Sequence, residues 1–333
     1  MPLIDNAIYR DGRRVATPAT LEETYEAAHA EQGMAWIGLY RPTDEELESV
    51  AAEFGLHGLA VEDAQLGHQR AKLERYDDTL FVVLRPARYL DVPEEVEFGE
   101  LHLFVGRDFV VTVRRSETPD LARVRARLEG NPELLARGPE AVLYAIVDEV
   151  VDEYEPVIAG LENDIDEIED QLFSDADDET LTRRIYDLSR EVIVFQRAVH
   201  PLVEMLEALL RGADRYGVDV ELQRALRDVL DHVRRVVDRA DSYRALLDNA
   251  LQVQSTLVVR AMTRTSIEQN DQVKKITSWA AILFAPSLVG AVYGMNFRNM
   301  PELDWPLGYP YALGLMLLIG VGLYATFKWR DWL

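Results

Sequence analysis

Gly294, Met295 and Asn296 directly follow the first of two long apolar runs. The side chain of Asn296 offers an uncharged carbonyl oxygen, and Gly294 is expected to let the backbone turn tightly where an apolar helix ends. Mg²⁺ releases its water reluctantly and prefers octahedral oxygen ligands, so a ring of neutral carbonyls can hold the hydrated ion through its waters without trapping it. This segment therefore predicts recognition of a hydrated divalent cation.

One face of the preceding apolar helix leads to this segment. Residues at heptad-like spacing share that face: Asn270, Val273, Thr277, Ala280, Phe284, Ser287 and Ala291. Two interpretations stay open, because this stripe could line an ion pathway or pack against the second apolar helix. Two membrane helices cannot surround a pathway, so transport would require an oligomer. Five helices with axes about 9 to 10 Å apart leave a narrow central hole that suits an ion.

The two apolar runs, residues 276–293 and 309–327, are predicted to be transmembrane helices. At about 1.5 Å per residue the first run spans about 27 Å, which nearly matches the hydrocarbon core of a bilayer. Two buried helices of a soluble protein would need an exceptionally large core to hide them. Tyrosines begin the second run, and Trp329 and Trp332 follow it, as expected at a membrane interface.

Charges beside the two runs predict their orientation. Basic pairs flank the runs on their outer sides: Lys274 with Lys275, and Lys328 with Arg330. The connecting segment, residues 294–308, carries Arg298 against Glu302 and Asp304. Because basic residues favour the cytoplasmic side, both ends and the basic tail 328–333 are predicted to be cytoplasmic and the connecting segment external.

The rest of the chain is predicted to form two cytoplasmic parts. Residues 1–138 contain short clusters of Val, Phe, Tyr and Leu between turn signals and helical stretches, which predicts an α/β domain with one sheet. Residues 139–275 have helical periodicity and few glycines, which predicts long helices. The last helix is expected to run from about Val218 to Tyr293, about 110 Å, as a stalk that packs against copies of itself.

Composition excludes several classes of function. The chain has 333 residues, a net charge of −24 and no cysteine, which excludes disulfides and thiolate metal sites and makes nucleic acid an improbable partner. No phosphate-loop motif and no compact set of nucleophile and base is evident, so an enzyme is not predicted. No Lys or Arg occurs between Arg137 and Arg183. This acidic segment is either a solvated helix face or a reservoir of oxygen ligands for divalent cations.

A family resemblance rests on three ordered segments between and beside the apolar runs. The sequence YGMNF at 293–297 is followed by MPEL at 300–303 and GYP at 308–310, and the second run ends in a basic aromatic tail. This arrangement resembles the CorA family of magnesium transport proteins. The resemblance extends less tightly upstream, through GLAVEDA and KLERYDD, and covers most of the architecture.

The resemblance implies a homopentameric channel in the cytoplasmic membrane that carries Mg²⁺ and also admits Co²⁺ and often Ni²⁺. It implies that Gly294, Met295 and Asn296 form the external selectivity ring and that the pore position inside it is Ser287, where relatives commonly have threonine. The implied apolar constriction comprises Phe284, Ile276 and Val273, and the implied cytosolic mouth is Asn270. Relatives often have methionine at the constriction, whereas Phe284 and Val273 are stiffer.

The resemblance also implies regulation, in which intracellular Mg²⁺ bound between neighbouring cytoplasmic domains holds the channel closed. The residues that it suggests are Asp77 and Asp78, facing Asp248 of the stalk. Solvation of a strand end and a helix is the alternative interpretation of these carboxylates. Two further functions stay open: a zinc transporter of the same superfamily, although the six histidines form no H-x-x-x-H pair, and a membrane-tethered sensor without a pore.

Overall fold

The computed structural model describes residues 3–67, 70–174, 178–216, 218–296 and 300–333. Among them the chain divides into two compact units, residues 1–253 and 254–333. The first unit contains a mixed sheet with helices on both faces and then a set of longer helices. The second contains the end of the longest helix and the second apolar helix. The domain boundaries at 138 and 275 stay predictions.

Nine strands are described, and seven of them form one sheet in the order β2-β1-β3-β9-β8-β5-β4. The strands of this sheet are β1 (Leu3–Arg10), β2 (Arg13–Ala16), β3 (Met34–Tyr40), β4 (Lys72–Tyr76), β5 (Thr79–Leu84), β8 (Leu101–Val105) and β9 (Phe109–Arg114). The remaining two, β6 (Ala87–Leu90) and β7 (Glu95–Phe98), pair only with each other. Within the large sheet, β3 and β9 are parallel, and the other described pairs are antiparallel.

The prediction of a single sheet is wrong for β6 and β7. The sequence TLFVVLRPARYL reads as one extended cluster, but Pro86 lies in its middle. Proline has no N–H to donate to a strand ladder, so β5 ends at Leu84 and the chain leaves the large sheet before β6 begins. The carbonyl of Pro86 accepts a 2.7 Å hydrogen bond from the Gly99 N–H, which holds the two ends of the small hairpin together.

Alternating side chains of β3 and its neighbours enter two separate cores. On one face Ile37, Phe104 and Val111 pack beneath α1 (Leu21–Glu31), α2 (Asp44–Phe54) and α3 (Gly58–Leu66). On the opposite face Trp36, Leu103 and Val110 belong to the core built with the later helices. These are α4 (Leu121–Glu129), α5 (Pro132–Leu135), α6 (Pro139–Asp152), α7 (Tyr154–Leu172), α8 (Asp178–Tyr216) and α9 (Val220–Tyr293). The period of two along each strand decides which core receives a side chain.

The long helices follow the predicted pattern with one division. The helical segment after Pro139 is divided at Glu153 into α6 and α7. The last helix, α9, is continuous from Val220 to Tyr293 and contains Pro286. At about 1.5 Å per residue its 74 residues measure about 110 Å, as predicted. It is followed by a 3₁₀ turn, Pro301–Leu303, and by α10, Gly308–Trp329.

Glu153, at the junction of α6 and α7, makes folding stability dependent on pH. Burial, reinforced by the negative charge of Glu149, raises the pKa of its carboxyl to about 7. Because this pKa is higher in the folded state, the group stabilises the fold when protonated and loses that contribution as pH rises from about 4.5 to 7. We expect Glu153→Gln to raise the Tm of the full chain by a few degrees at pH 8 and by about 1 °C or less at pH 5.

The matched control for this measurement is Glu133→Gln, because Glu133 is exposed on α5. Its Tm should equal that of the wild type at both pH values. Equal Tm differences at pH 8 and pH 5 for Glu153→Gln would contradict the assignment.

Candidate functional site

Among the described residues, α9 and α10 contain segments long and apolar enough to cross a membrane. Almost none of the residues in these segments is buried within the chain. A core helix of a soluble protein would have its apolar side chains covered, whereas Leu283, Leu288, Leu317 and Leu318 are all more than half exposed. The exposure favours two lipid-facing helices over a soluble core.

The two apolar helices pack through small residues. A Cβ atom added to Gly290 would lie 3.2 Å from the Cε of Met316, and one added to Gly320 would lie 3.7 Å from the Cγ of Pro286. Ser278 of α9 is completely buried. Close approach of helices through glycine and other small residues is typical of membrane packing. The face of α9 that contacts α10 therefore contains Ser278, Pro286 and Gly290.

The predicted pathway stripe lies on a different face of α9. Six of its seven residues are exposed in the chain: Asn270, Val273, Thr277, Phe284, Ser287 and Ala291. Ala280 is half-buried, and Ile276, the other predicted lining residue, is exposed. Phe284 is 74% exposed and Val273 is 59% exposed. The contact with α10 does not cover these residues, so the interpretation in which the stripe packs on the second helix does not describe this structure. Their role in lining a pathway stays a prediction.

The hydroxyl of Ser287 has an orientation that matters for cation chemistry. Its Oγ donates a 2.9 Å hydrogen bond to the carbonyl of Leu283, one turn earlier in the same helix. Because the proton is engaged with the helix, the oxygen lone pairs can accept hydrogen bonds or coordinate a cation. Ser287 thus presents an acceptor on the exposed stripe, six residues before α9 ends at Tyr293.

The end of α9 differs from the expectation for Gly294. The N–H of Gly294 donates to the carbonyl of Gly290 at 2.9 Å, and the N–H of Met295 donates to that of Val292 at 3.2 Å. Gly294 is not in the left-handed region, so the turn does not use the conformational freedom that was predicted. A Cβ at this position would lie 3.3 Å from the carbonyl oxygen of Gly290.

The other described side chains that were predicted to face the outside are exposed. Met295 is 46% exposed, and Asn296 and Asp304 are also exposed. Glu302 belongs to the 3₁₀ turn Pro301–Leu303, but its side chain lies outside the described residues, as does Arg298. The structure therefore presents the Asn296 amide at the end of α9 without covering it.

Aromatic side chains cluster at both ends of the membrane segments. At one end the rings of Trp279 and Tyr324 lie 6.4 Å apart, and Lys328 lies over the Tyr324 ring at 5.7 Å. At the other end the rings of Trp305 and Tyr311 lie 6.0 Å apart. Trp, Tyr and Lys at such positions are typical of membrane interfaces, which supports the predicted spans.

The predicted regulatory carboxylates occupy exposed positions in the first unit. Asp77 and Asp78 form the two-residue turn between β4 and β5, with a φ of +50° at Asp77. The carboxylate of Asp78 forms a 2.9 Å ion pair with Arg107, which the sequence did not suggest. Asp248 lies on an exposed face of α9. Since both members of the Asp78 pair are mostly exposed, this ion pair contributes little to stability.

The acidic segment of α7 is neutralised in part by arginines from distant helices. Glu94, Asp164 and Glu167 place carboxylate oxygens within 4.8 Å of one another. The guanidinium of Arg184 already binds this group, at 2.6 Å from Glu167 and 2.9 Å from Glu94. Burial raises the pKa of Asp164 to about 6. The arginine supplies the cation that the carboxylates require, so this cluster is an ion-pair network.

Residues 31–329 match the family described as CorA-like Mg²⁺ transporter protein. The chain belongs to the CorA family. It is 32% identical over 297 residues to YfjQ of Bacillus subtilis, which is named as a metal ion transporter, with 89% of each protein covered. It is 29% identical over 302 residues to the cobalt/magnesium transport protein CorA of Thermotoga maritima, covering 90% of this chain and 83% of that protein.

Solved structures confirm the fold class of this CorA-family chain. The complete structure of the CorA magnesium transporter from Methanocaldococcus jannaschii matches with a TM-score of 0.66 at 19% identity, covering 100% of this chain and 99% of that one. The α/β domain, the long helix and the two C-terminal apolar helices therefore form the architecture that the sequence predicts. The residue roles along α9 are not decided by this likeness.

Proposed function

We propose that this CorA-family protein is a channel for Mg²⁺ influx. The observation that carries the proposal is the exposed stripe of α9, which the contact with α10 leaves uncovered and which ends beside Asn296. Its oxygen acceptors include the Ser287 hydroxyl. Relatives are named for cobalt and magnesium transport, which supports Mg²⁺ as the main cargo and Co²⁺ as an alternative. Ni²⁺ is a third candidate by chemical similarity.

The proposed pathway requires an oligomer, and we propose a homopentamer. One chain supplies two membrane helices, and five copies of α9 packed side by side would enclose a narrow axial passage. In this assembly Gly294, Met295 and Asn296 form the external selectivity ring, and Phe284, Ile276 and Val273 form the apolar constriction. Asn270 and Thr277 lie on the same stripe, with Asn270 at the cytosolic mouth.

The driving force is the membrane potential. A divalent ion that moves inward across 100 mV gains about 4.6 kcal/mol, which is twice the value for a single charge. We place the protein in the cytoplasmic membrane with both termini inside, so that the Lys274–Lys275 and Lys328–Arg330 pairs face the cytoplasm. Glu302 and Asp304 then lie outside and raise the local concentration of cations.

Reconstitution tests this function directly. Liposomes that contain the wild type are loaded with a Mg²⁺-sensitive dye, and an inside-negative potential is imposed. Mg²⁺ and Co²⁺ influx that exceeds Zn²⁺ influx supports the proposal. A dominant Zn²⁺ flux would assign the protein to zinc transport, and no flux from a correctly assembled oligomer would indicate a sensor without a pore.

Regulation by intracellular Mg²⁺ is part of the proposal. Asp77 and Asp78 are assigned to a site that closes against Asp248 of a neighbouring subunit when Mg²⁺ binds, because carboxylate oxygens are ligands that Mg²⁺ prefers. We expect Mg²⁺ to protect the wild type from protease, and we expect Asp77→Ala, Asp78→Ala and Asp248→Ala each to need about tenfold more Mg²⁺ for the same protection.

Asp91→Ala is the matched control for the protease measurement, since Asp91 is an exposed carboxylate in the β6–β7 turn. It should need the same Mg²⁺ concentration as the wild type. If all three variants at the proposed site also keep full protection at the wild-type concentration, these residues do not hold the regulatory ion.

A further inference from the structure

Three arginines lie together at the carboxyl edge of the parallel strands β3 and β9. Arg114 is the last residue of β9 and Arg115 follows it, while Arg41 follows β3. The backbone N–H of Arg41 donates to the carbonyl of Arg114 at 2.9 Å, and its Nε donates to the carbonyl of Arg115 at 3.3 Å. In α/β sheets ligands bind preferentially outside the carboxyl ends of parallel strands. The cluster therefore occupies a favourable place for a binding site.

These arginines have no carboxylate partner within the part of the chain that the structure describes. The guanidinium groups of Arg41 and Arg114 both lie 5.2 Å from the centre of the Tyr40 ring, so two positive charges lie near one aromatic ring. The ion pairs of the first unit do not include Arg41, Arg114 or Arg115. In a chain with 59 acidic and 35 basic residues, such a set of unneutralised arginines needs a physical reason.

A cavity of about 190 Å³ opens beside two of these arginines. It is lined by Arg41, Arg88, Arg115, Ser116, Glu97 and Glu117, among others. A single water needs only about 10 to 15 Å³ of such space, so the cavity can hold a group of several heavy atoms. A Cβ on Gly99 would lie 2.1 Å from the Ser116 Oγ, so a glycine is required where this loop closes against the hairpin.

Charge accounting favours an anion in this cavity. The lining carries three positive charges, on Arg41, Arg88 and Arg115, and two negative charges, so one net positive charge remains. Both carboxylates, Glu97 and Glu117, pair with Arg88. Glu100 also lies close to the Arg115 side chain, and its Oε1 lies 2.8 Å from the Nε2 of His102. Counting both this carboxylate and the guanidinium of Arg114 leaves the local charge positive by one. At physiological ionic strength charges more than about 8 Å away are largely screened, so this local charge matters more for a bound anion than the negative charge of distant parts of the chain.

Enough donors remain to bind an oxyanion. Each guanidinium carries five N–H groups. Arg115 donates to the carbonyls of Ala64 and Gln65 at the end of α3, which explains its position but leaves its buried Nε without a partner. Arg41 is exposed and uses its Nε on the backbone. The Ser116 hydroxyl donates to the carbonyl of Thr118. The donors for a ligand are therefore the guanidinium groups.

We propose that the cavity between Arg41 and Arg115 binds a phosphate group, either as inorganic phosphate or as the terminal phosphate of a nucleotide. Planar guanidinium groups match the oxygens of phosphate with paired hydrogen bonds. The cavity holds the phosphate, and Arg41 at its exposed rim closes on it. This site lies in the α/β domain and does not depend on ion flux through the membrane helices.

Equilibrium dialysis of the full chain in detergent, without Mg²⁺ and with a chelator present, tests the proposal. Labelled inorganic phosphate and labelled ATP are measured separately. We expect saturable binding of one ligand per chain, and we expect Arg41→Gln to weaken it about tenfold or more. Arg13→Gln is the matched control, since Arg13 is exposed on β2 and the substitution removes the same charge. It should leave the affinity unchanged.

The two ligands distinguish the source of the phosphate. Tighter binding of inorganic phosphate than of ATP identifies the free ion, and the reverse order identifies a nucleotide whose base lies outside the cavity. If neither ligand saturates, or if Arg41→Gln and Arg13→Gln lose affinity equally, the proposal is wrong. Arg41→Lys keeps the charge without the planar fork and should bind with intermediate affinity.

Discussion

Asn296→Ala is expected to reduce Mg²⁺ influx into reconstituted liposomes by at least about tenfold. The variant removes the amide carbonyl at the end of α9, where the side chain is exposed. A hydrogen bond that involves a charged group contributes about 1.5 to 3 kcal/mol, and each 1.4 kcal/mol corresponds to a factor of ten. In the proposed ring the loss occurs in every subunit, so the recognition of the hydrated ion should fail altogether.

A second variant at Asn296 tests why the side chain at this position is a neutral amide and not a carboxylate. Asn296→Asp replaces each neutral carbonyl with a carboxylate, so the ring should bind the divalent ion more tightly and release it more slowly. We expect flux through this variant to saturate at a lower Mg²⁺ concentration and with a lower maximum. Influx is measured with the same dye and potential for all variants, at equal amounts of assembled protein.

Asn249→Ala is the matched control for both variants, because Asn249 is an exposed amide on the part of α9 that precedes the apolar segment. Its flux should equal that of the wild type. Wild-type flux from Asn296→Ala would show that the ion is selected elsewhere on the stripe. Loss of flux in Asn249→Ala as well would point to a defect in assembly of the helix.

The helices that carry the proposed pathway were predictable because their signals are local. The start of α9 was expected near Val218 and lies at Val220, and its end at Tyr293 agrees with the prediction. An apolar run, flanking charges and the absence of glycine identify such a helix without knowledge of its partners. The second helix was expected at 309–327 and spans Gly308–Trp329 for the same reason.

Features that depend on distant contacts were not predictable from pattern. Arg41 and Arg115 are 74 residues apart, and only the parallel pairing of β3 with β9 brings them together. The chain leaves the large sheet between β5 and β6 because of Pro86. The hydrophobic periodicity alone did not predict this break. The first hairpin, β1 with β2, had a readable signal in Asp11 and Gly12, which both have positive φ as a tight turn requires.

The proposed ion pathway was predictable from the sequence only in part. Sequence spacing placed its residues on one stripe but could not decide which neighbour the stripe faces. In the structure α9 contacts α10 through Gly290 and Pro286, which lie on a different face from the stripe. The stripe therefore does not pack against α10. The width of the passage depends on contacts between copies, for which Phe284 and Val273 are the residues to vary.

Arg125→Met is expected to lower the stability of the α/β domain by about 3 to 5 kcal/mol, the largest effect on folding among the substitutions considered. Arg125 is only 4% exposed. Its Nε lies 3.1 Å from a carboxylate oxygen of Asp5, and its other nitrogens donate to the hydroxyl of Tyr9 and the carbonyls of Asp5 and Trp36. The guanidinium also lies 4.1 Å from the centre of a Trp36 ring.

This arrangement connects α4 to β1 and β3 through one side chain. Methionine fills similar space but leaves the carbonyls and part of the Asp5 charge without a donor, although Asp5 keeps its contact with Arg14 at 3.2 Å. Losing the donor to a buried acceptor costs the desolvation of that acceptor in addition to the bond. The first strand should then detach more readily, so protease should cleave within the first hairpin before it cleaves elsewhere.

The measurement is thermal unfolding of the full chain in detergent, combined with limited proteolysis. We expect the Tm of the domain to fall by about 6 °C or more. Arg197→Met, at an exposed position on α8, is the matched control and should change the Tm by about 2 °C or less. A fall no larger than that of the control, with the hairpin still resistant to protease, would mean that the first strand is held by its ladder and apolar contacts, with Arg125 contributing little.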